Sequence, residues 1–306
     1  REVAPDLALH ISTQASVTNW RSVQFWETMG VSRVILAREL SLQEISEIRG
    51  RVNVELEAFA HGAMCISYSG RCLLSNYMTG RDANRGECAQ ACRWRYALME
   101  EKRPGEYYPI EEDIKGTYVL NSKDLNMLAH IPEMAQAGIG SLKIEGRMKS
   151  VYYVGMVVKA YRQALDAYHA NPKTYQVQRE WLEELDKVSH RPYTTGFYFG
   201  SPGPEGQSYG SSGYVRNYDF VGILPSFTQG DGRVAVRNRL RKGERVELVA
   251  PSGPPTAFTI QDMRDEAGVG LTEAHANQEI FLHLPIKAPP FSMLRREVEA
   301  VDPKRD

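Results

Sequence analysis

Strand-like and helix-like segments alternate from the start of this chain, and that alternation limits the fold more than any other feature. Leu7-Ala8-Leu9-His10-Ile11-Ser12 is a short apolar run of strand type, and Asn19-Trp20 leads into a helix ending near Met29-Gly30. Ser32-Arg33-Val34-Ile35-Leu36-Ala37 reads as a second strand. The next helix opens at Leu40-Ser41-Leu42, with Ser41 as N-cap and Glu44 completing a capping box. Val54-Glu55-Leu56-Glu57-Ala58-Phe59 is a third strand. This β–α–β–α–β order implies a parallel sheet whose crossovers are helices. The pattern resumes at Thr117-Tyr118-Val119-Leu120 and Ser141-Leu142-Lys143-Ile144, with a helix between them that ends at Ala137-Gly138. A long helix follows over about residues 149–170, where Val154, Val157, Val158, Tyr161, Leu165 and Tyr168 recur at helical spacing.

Beyond about residue 200 the texture changes. Gly, Ser and Pro cluster in 200–213, and short alternating runs follow at Arg233-Val234-Ala235-Val236 and Arg245-Val246-Glu247-Leu248-Val249. Turn signals separate them, at Gln229-Gly230-Asp231-Gly232 and Pro251-Ser252-Gly253-Pro254. That is the pattern of a small β-barrel or sandwich. The expected domains are therefore 1–204, of α/β class, and 205–306, all β. A chain of 306 residues suits two domains, and 42% hydrophobic residues can supply their cores. A formal net charge of −1 does not mark the whole chain as a nucleic-acid binder. No apolar run approaches the ~20 residues that span a bilayer. No signal peptide is visible at Arg1-Glu2-Val3-Ala4-Pro5-Asp6, so the expected location is the cytosol.

A reducing cytosol makes cysteines ligands or catalysts more often than disulfides. All four cysteines of the chain, Cys65, Cys72, Cys88 and Cys92, fall in one window with C-x6-C, x15 and C-x3-C spacings. Thiolates are soft ligands, and four of them complete a zinc site or an iron–sulfur cluster. Zinc sites favour tight knuckles, which only the last pair approaches. Wide, uneven spacing suits a cluster seated in a loop, for which Gly70, Gly80 and Gly86 supply backbone freedom. Zinc stays as the alternative.

Several runs carry a resemblance. Glu57-Ala58-Phe59-Ala60-His61-Gly62-Ala63-Met64-Cys65 continues into Ser69-Gly70-Arg71-Cys72-Leu73-Leu74-Ser75, an acidic residue and Phe before a small-residue turn and two cysteines flanking Ser-Gly-Arg. Gly86-Glu87-Cys88-Ala89-Gln90-Ala91-Cys92-Arg93-Trp94, Asn121-Ser122-Lys123-Asp124-Leu125 and Ser141-Leu142-Lys143-Ile144-Glu145-Gly146-Arg147 extend the match. His190-Arg191-Pro192-Tyr193-Thr194-Thr195-Gly196-Phe197 matches more weakly. Together these runs resemble the U32 peptidase family over about residues 7–200. The sequence is most similar to the branch that hydroxylates tRNA. The resemblance implies a TIM-like (β/α) barrel, a [4Fe-4S] cluster on the four cysteines, and prephenate-dependent hydroxylation of the wobble uridine of tRNA. Family members usually begin with further barrel strands carrying Leu-Ser/Ala-Pro-Ala-Gly and Gly-Ala-Asp-Ala-Val-Tyr motifs. Neither motif occurs here, so the expected chain starts part-way through the barrel, without its N-terminal half.

The family name also implies a peptidase, which needs an activated nucleophile or a metal-held water. The chain has no G-x-S-x-G elbow and no H-E-x-x-H helix. Cys65 with His61 as base is the one pairing the sequence offers, and it competes with Cys65 as a ligand. A hydroxylase uses more of the residues. Prephenate is a dicarboxylate and calls for guanidinium and ammonium groups. Arg38, Lys123, Lys143 and Arg147 stand at or just beyond the C-terminal ends of expected strands, the end that carries a barrel's active site. Substrate binding is expected of Arg38, Lys123 and Arg147, and catalysis of Glu57, Lys143, Glu145 and Arg147. Glu39 lies in the same segments. The competing reading is that these charges pair with one another around the barrel mouth. In the β domain Arg233, Arg237, Arg239, Arg241, Lys242 and Arg245 form a basic stripe, with Arg237, Arg239 and Arg241 the expected RNA contacts. A solvated barrel face is the plainer account of that run. Three readings follow: a prephenate-dependent tRNA hydroxylase with an iron–sulfur cluster, a peptidase, and a non-catalytic, metal-stapled RNA-binding fragment.

Overall fold

The computed structural model describes residues 3–298 except 66, 95, 96, 100–104, 106, 110–121, 203–213 and 229. The opening alternation folds as its pattern requires. β1 (His10–Ile11), α1 (Trp20–Thr28), β2 (Arg33–Ile35), α2 (Leu42–Arg49) and β3 (Glu55–Ala63) follow in turn, and the three strands pair in parallel. The expected capping box is present: Ser41 Oγ accepts from the Glu44 N–H, and the Glu44 carboxylate accepts from the Ser41 N–H at 2.8 Å.

β3 runs four residues past Phe59, where the sequence suggested a turn, and His61 within that extension is fully buried. The continuation is possible because β3 has partners there. Ser141–Ile144 runs parallel to its centre and Asp124–Asn126 antiparallel to its end. Gly62 is obligatory in this stretch: its φ is +108°, and a Cβ there would sit 2.2 Å from the Glu145 carbonyl oxygen.

After β3 come α3 (Leu74–Thr79) and a hairpin of β4 (Ala97–Met99) and β5 (Tyr107–Pro109). Then follow β6 (Asp124–Asn126), α4 (Ile131–Gln136), β7 (Ser141–Ile144), α5 (Val151–Ala170), α6 (Arg179–Asp186) and β8 (Tyr193–Thr194). Among the described residues the main sheet has six strands in the order β1-β2-β3-β6-β8, with β7 also on β3. It is mixed rather than all-parallel, because β6 opposes β3, and among the described residues no pairing joins β1 to β8. The α/β class holds. The expected strand at Thr117–Leu120 lies outside the described residues. Helix α5 starts at Val151 with Ser150 as its cap, which accepts from the Tyr153 N–H.

The second domain is all β: β9 (Tyr218–Thr228), β10 (Asp231–Val236), β11 (Leu240–Arg241), β12 (Arg245–Val249), β13 (Thr256–Thr259), β14 (Met263–Arg264), β15 (Glu273–Ala274), β16 (Glu279–His283) and β17 (Met293–Glu297). Seven of these form one antiparallel sheet in the order β13-β12-β17-β9-β10-β16-β14, and β11 pairs β15. The two edge strands, β13 and β14, are joined only by Ile260–Asp262. A flat sheet of this size would separate its edges by roughly 29 Å at ~4.8 Å per strand. A link this short reaches about 14 Å. The sheet must therefore curl back on itself, which is the barrel-like form expected, around Val221, Leu224, Val246, Ile280, Leu282 and Leu294. The expected boundary at 204/205 lies outside the described residues.

The two domains share buried contacts. Val249 and Met293 of the β domain pack in the core of the α/β domain. Arg295, fully buried, forks onto Glu184 of α6 at 2.6 and 2.8 Å and donates to Glu247 at 2.7 Å and to Tyr152 Oη at 3.2 Å. Lys159 of α5 donates to the Ala250 and Gly253 carbonyls, each at 2.8 Å. These bonds fix the β domain against the helical face of the sheet.

Candidate functional site

Beyond the ends of β3 and β7 lies a cavity of about 560 Å³. All four cysteines line it, with Arg38, Lys143, Glu145 and Arg147. The wall is the segment between β3 and Trp94, which has little regular structure and is held by side chains instead. Glu39 accepts from the Ser69 N–H at 2.8 Å, and Asn84 donates to the Cys72 carbonyl at 2.9 Å. Buried Ser75 donates to the Arg81 carbonyl and accepts from the Ala89 N–H at 3.0 Å. Gly70 closes against the chain's start, since a Cβ there would stand 2.1 Å from the Gln14 carbonyl oxygen.

Two carboxylates anchor the far end of this segment. Glu145 accepts from the Gln90 side-chain amide at 3.1 Å, from the Ala63 N–H at 3.3 Å and from the Arg147 N–H at 3.0 Å. Asp124, wholly buried, pairs with Arg93, accepts from the Arg191 N–H at 3.1 Å and has Lys149 at 3.8 Å. Arg93 also donates to the Met64 carbonyl, and Arg191 to the Arg93 carbonyl at 3.2 Å. Burial opposes the charge on Asp124, yet Arg93 and Lys149 hold its carboxyl below the usual range. These buried groups form a clamp around Asp124 that ties Arg93, next to Cys92, to the segment carrying Arg191.

The cavity floor is Phe59. The Arg38 guanidinium lies 3.5 Å from its ring centroid and the Lys143 ammonium 5.4 Å. Burial lowers the pKa of Arg38, and Cys65, Glu145 and Glu39 oppose that effect. Its Nε has no hydrogen-bond partner. Arg147 is exposed at the rim and reaches over Gly86, and Arg85 lines the cavity beside it.

The cysteines are free thiols around one space. Burial raises the Cys65 thiol and pushes Cys92 up to about 11, and the neighbouring thiols add to both. Such thiols are poor nucleophiles until a metal or base takes the proton. Among the described residues no three Cys, His, Asp or Glu side chains gather tightly enough to chelate a single ion. A zinc site needs four sulfurs each ~2.3 Å from one point. An iron–sulfur cluster places each thiolate on a different iron and spreads its ligands wider. The donor set, four thiols lining one cavity, suits either a zinc ion or an iron–sulfur cluster.

Some expected residues stand elsewhere. Glu57 does not line the cavity: it pairs with Arg33 at 3.0 Å and Lys143 at 3.8 Å and accepts from Ser141 Oγ at 2.8 Å. Lys123 lines a second cavity with Asn126, His130 and Phe199. Arg147 occupies a turn before the Ser150 cap and not the first turn of α5. Arg239 and Arg241 share Glu273, at 3.4 and 2.7 Å, while Arg237 is exposed. His61 is not paired with Cys65. It is buried among Tyr153, Tyr161 and Tyr193, at 5.4 to 6.0 Å between ring centroids, and burial lowers its pKa to about 3. Reasoning from sequence gave no role to Arg93, Asp124, Lys149 or Arg191. Arg93, Asp124 and Arg191 lie in three of the matching runs, which was the available signal.

The sequence matches Peptidase family U32 over residues 1–208 and the Peptidase family U32 C-terminal domain over residues 216–295. The chain belongs to the U32 peptidase family. Among curated relatives, tRNA hydroxylation protein P1 of Bacillus subtilis is 44% identical over 299 residues, covering 97% of this chain and 71% of that protein. The tRNA hydroxylation protein P of Escherichia coli is 39% identical, covering 88% of this chain and 68% of its own length. A 23S rRNA 5-hydroxycytidine synthase of E. coli is 32% identical and covers 81% of this chain and 40% of itself. The crystallised C-terminal domain of a Geobacillus thermoleovorans U32 peptidase aligns with 26% of this chain and 99% of its own at 27% identity, with a TM-score of 0.25.

Proposed function

We propose that this chain is an RNA-modifying enzyme that hydroxylates tRNA, with the wobble uridine as target, prephenate as co-substrate and a [4Fe-4S] cluster held by Cys65, Cys72, Cys88 and Cys92. The observation that carries the reading is the cavity shared by four thiols and five cationic side chains, in a chain whose relatives are named for RNA hydroxylation. The α/β sheet is read as part of a (β/α) barrel, whose strand ends carry the site.

A dicarboxylate suits the cation arrangement. Arg38 and Lys143 both lie against the Phe59 ring and line the cavity, so a carboxylate bound there can draw on two charges. Arg85 and Arg147 stand at the rim, within reach of a second carboxylate or an RNA phosphate. Glu145 already accepts three hydrogen bonds, so it works as a positioning residue that fixes the Arg147 turn and the Gln90 loop. When bound, the cluster supplies one-electron chemistry beside this pocket.

A peptidase needs a base beside its nucleophile, and here the nearest sequence candidate, His61, is enclosed by tyrosines. The test is tRNA nucleoside analysis in a deletion strain. The intact gene should restore 5-hydroxyuridine, and a variant with all four cysteines changed to serine should not. Restoration by that variant would remove the cluster from the account, and unchanged nucleosides in the deletion strain would remove the hydroxylase.

A further inference from the structure

The cysteine segment also carries exposed rings and guanidiniums, of which Arg85 alone also lines the pocket. Tyr68, Tyr77 and Trp94 are 73%, 86% and 45% exposed, unusual for large rings placed along the wall of one cavity. Arg71, Arg81 and Arg85 interleave with them in sequence, are exposed, and form no ion pair among the described residues. Exposed Arg147 adds a fourth such guanidinium from the opposite wall. The acids of the segment are fewer: Asp82 caps a short helix by accepting from the Asn84 N–H, and Glu87 is exposed.

The C-terminal stripe makes the contrast. There Arg239 and Arg241 share Glu273 and Arg233 holds Glu266 and Glu279, while Arg237, Lys242 and Arg245 form no ion pair among the described residues. Arg296 nearby holds Asp219 and Glu244. Charges already matched by carboxylates release few counterions when a phosphate arrives, so they add little to RNA affinity. Unmatched guanidiniums beside exposed rings do both things that single-stranded RNA requires: the rings stack bases and the cations hold phosphates.

We infer that the outer face of the cysteine segment, built on Tyr68, Tyr77, Trp94, Arg71, Arg81 and Arg85, is the surface that grips unpaired RNA nucleotides next to the reacting base. The inference rests on the hydroxylase reading and specifies where its RNA lies. Placement there is economical, because the same segment supplies the cysteines, so a base entering the cavity leaves its neighbours on the rings outside. A polyanion is preferred over a protein partner by the four unmatched arginines, which continue inward to Arg38 and Lys143.

The experiment measures binding of the full chain to a labelled tRNA anticodon hairpin and to a blunt RNA duplex, over a range of salt. Tyr68→Ala and Tyr77→Ala should each weaken hairpin binding about tenfold and leave duplex binding unchanged. Changing Arg71, Arg81 and Arg85 together to Ala should reduce the salt slope by about 2. Changing Arg239 and Arg241 should leave it nearly unaltered. All of these side chains are exposed, so unchanged thermal melting should accompany each variant. Wild-type chain that binds neither RNA would overturn the hydroxylase reading along with this placement. Tight hairpin binding that the tyrosine and arginine variants retain would overturn the placement alone and assign the face to a protein.

Discussion

The side-chain amide of Gln90 donates to the Glu145 carboxylate at 3.1 Å, across 55 residues of chain. Gln90 stands between Cys88 and Cys92, and Glu145 ends the strand that delivers Lys143. One hydrogen bond therefore couples the thiol wall to the cationic wall of the cavity. Glu145→Ala removes the acceptor for three donors, and each buried donor left unpaired costs about 1–3 kcal/mol. The expected outcome is a folded protein with lowered iron and sulfide content and a raised KM for prephenate. Glu145→Gln, which keeps one acceptor oxygen, should fall between wild type and Ala. Metal analysis after anaerobic purification checks this, and an Ala variant with full iron and normal KM would count against the coupling.

Arg38 over Phe59 makes a second prediction. Lysine at 38 keeps the charge and loses the planar stack and the fork. Arg38→Lys should raise the KM for prephenate about tenfold with a smaller change in kcat, a loss of about 1.4 kcal/mol of binding. Phe59→Leu should act in the same direction, because the floor that holds both cations is lost. Steady-state kinetics at saturating tRNA measures both.

The buried Arg295 fork predicts how the domains come apart. Arg295→Ala leaves Glu184 and Glu247 without their buried partner, and such losses run to about 3–5 kcal/mol. Burial works against charge on Glu184, but Arg295 and Lys187 hold its carboxyl below the usual value. A depressed folded-state pKa gives stability that is complete above the unfolded carboxylate value, about 4.3. That stability is lost as pH falls through the lower folded value. Wild-type protein should therefore lose stability as pH drops below about 4, and the Glu184→Gln variant should show a flatter decline. Chemical denaturation at stepped pH tests the difference.

Much of this was legible in the sequence, and the misses share a cause. Local patterns gave the strand–helix order, the Ser41–Glu44 cap, the long helix α5 and the cysteine window, because those signals reside within a few residues of one another. The extension of β3 through His61 was not legible, because the partners that hold it, β6 and β7, lie more than 60 residues further along the chain. Arg38, Lys143, Glu145 and Arg147, expected around strand ends, line one cavity beyond β3 and β7. The clamp of Arg93, Asp124, Lys149 and Arg191 was missed because its residues come from separate segments and meet around Asp124 only in three dimensions. Glu57 and Lys123 were assigned to the site by position along a strand, but β3 runs on to Ala63 and leaves Glu57 mid-strand on Arg33, while Lys123 precedes β6 beside the second cavity. In the arginine stripe of the β domain, the ion pairs of Arg233, Arg239 and Arg241 were not legible because their partners, Glu266, Glu273 and Glu279, are distant in sequence.

The central claim is a thiol-ligated cluster acting beside a carboxylate pocket on tRNA. The most direct test incubates anaerobically reconstituted protein with unmodified tRNA and prephenate and then analyses the nucleosides by mass spectrometry. The account predicts 5-hydroxyuridine at the wobble position, absent without prephenate and absent when Cys65, Cys72, Cys88 and Cys92 are serine. Hydroxylation that persists in the serine variant, or none from a fully iron-loaded protein with both substrates present, would contradict it.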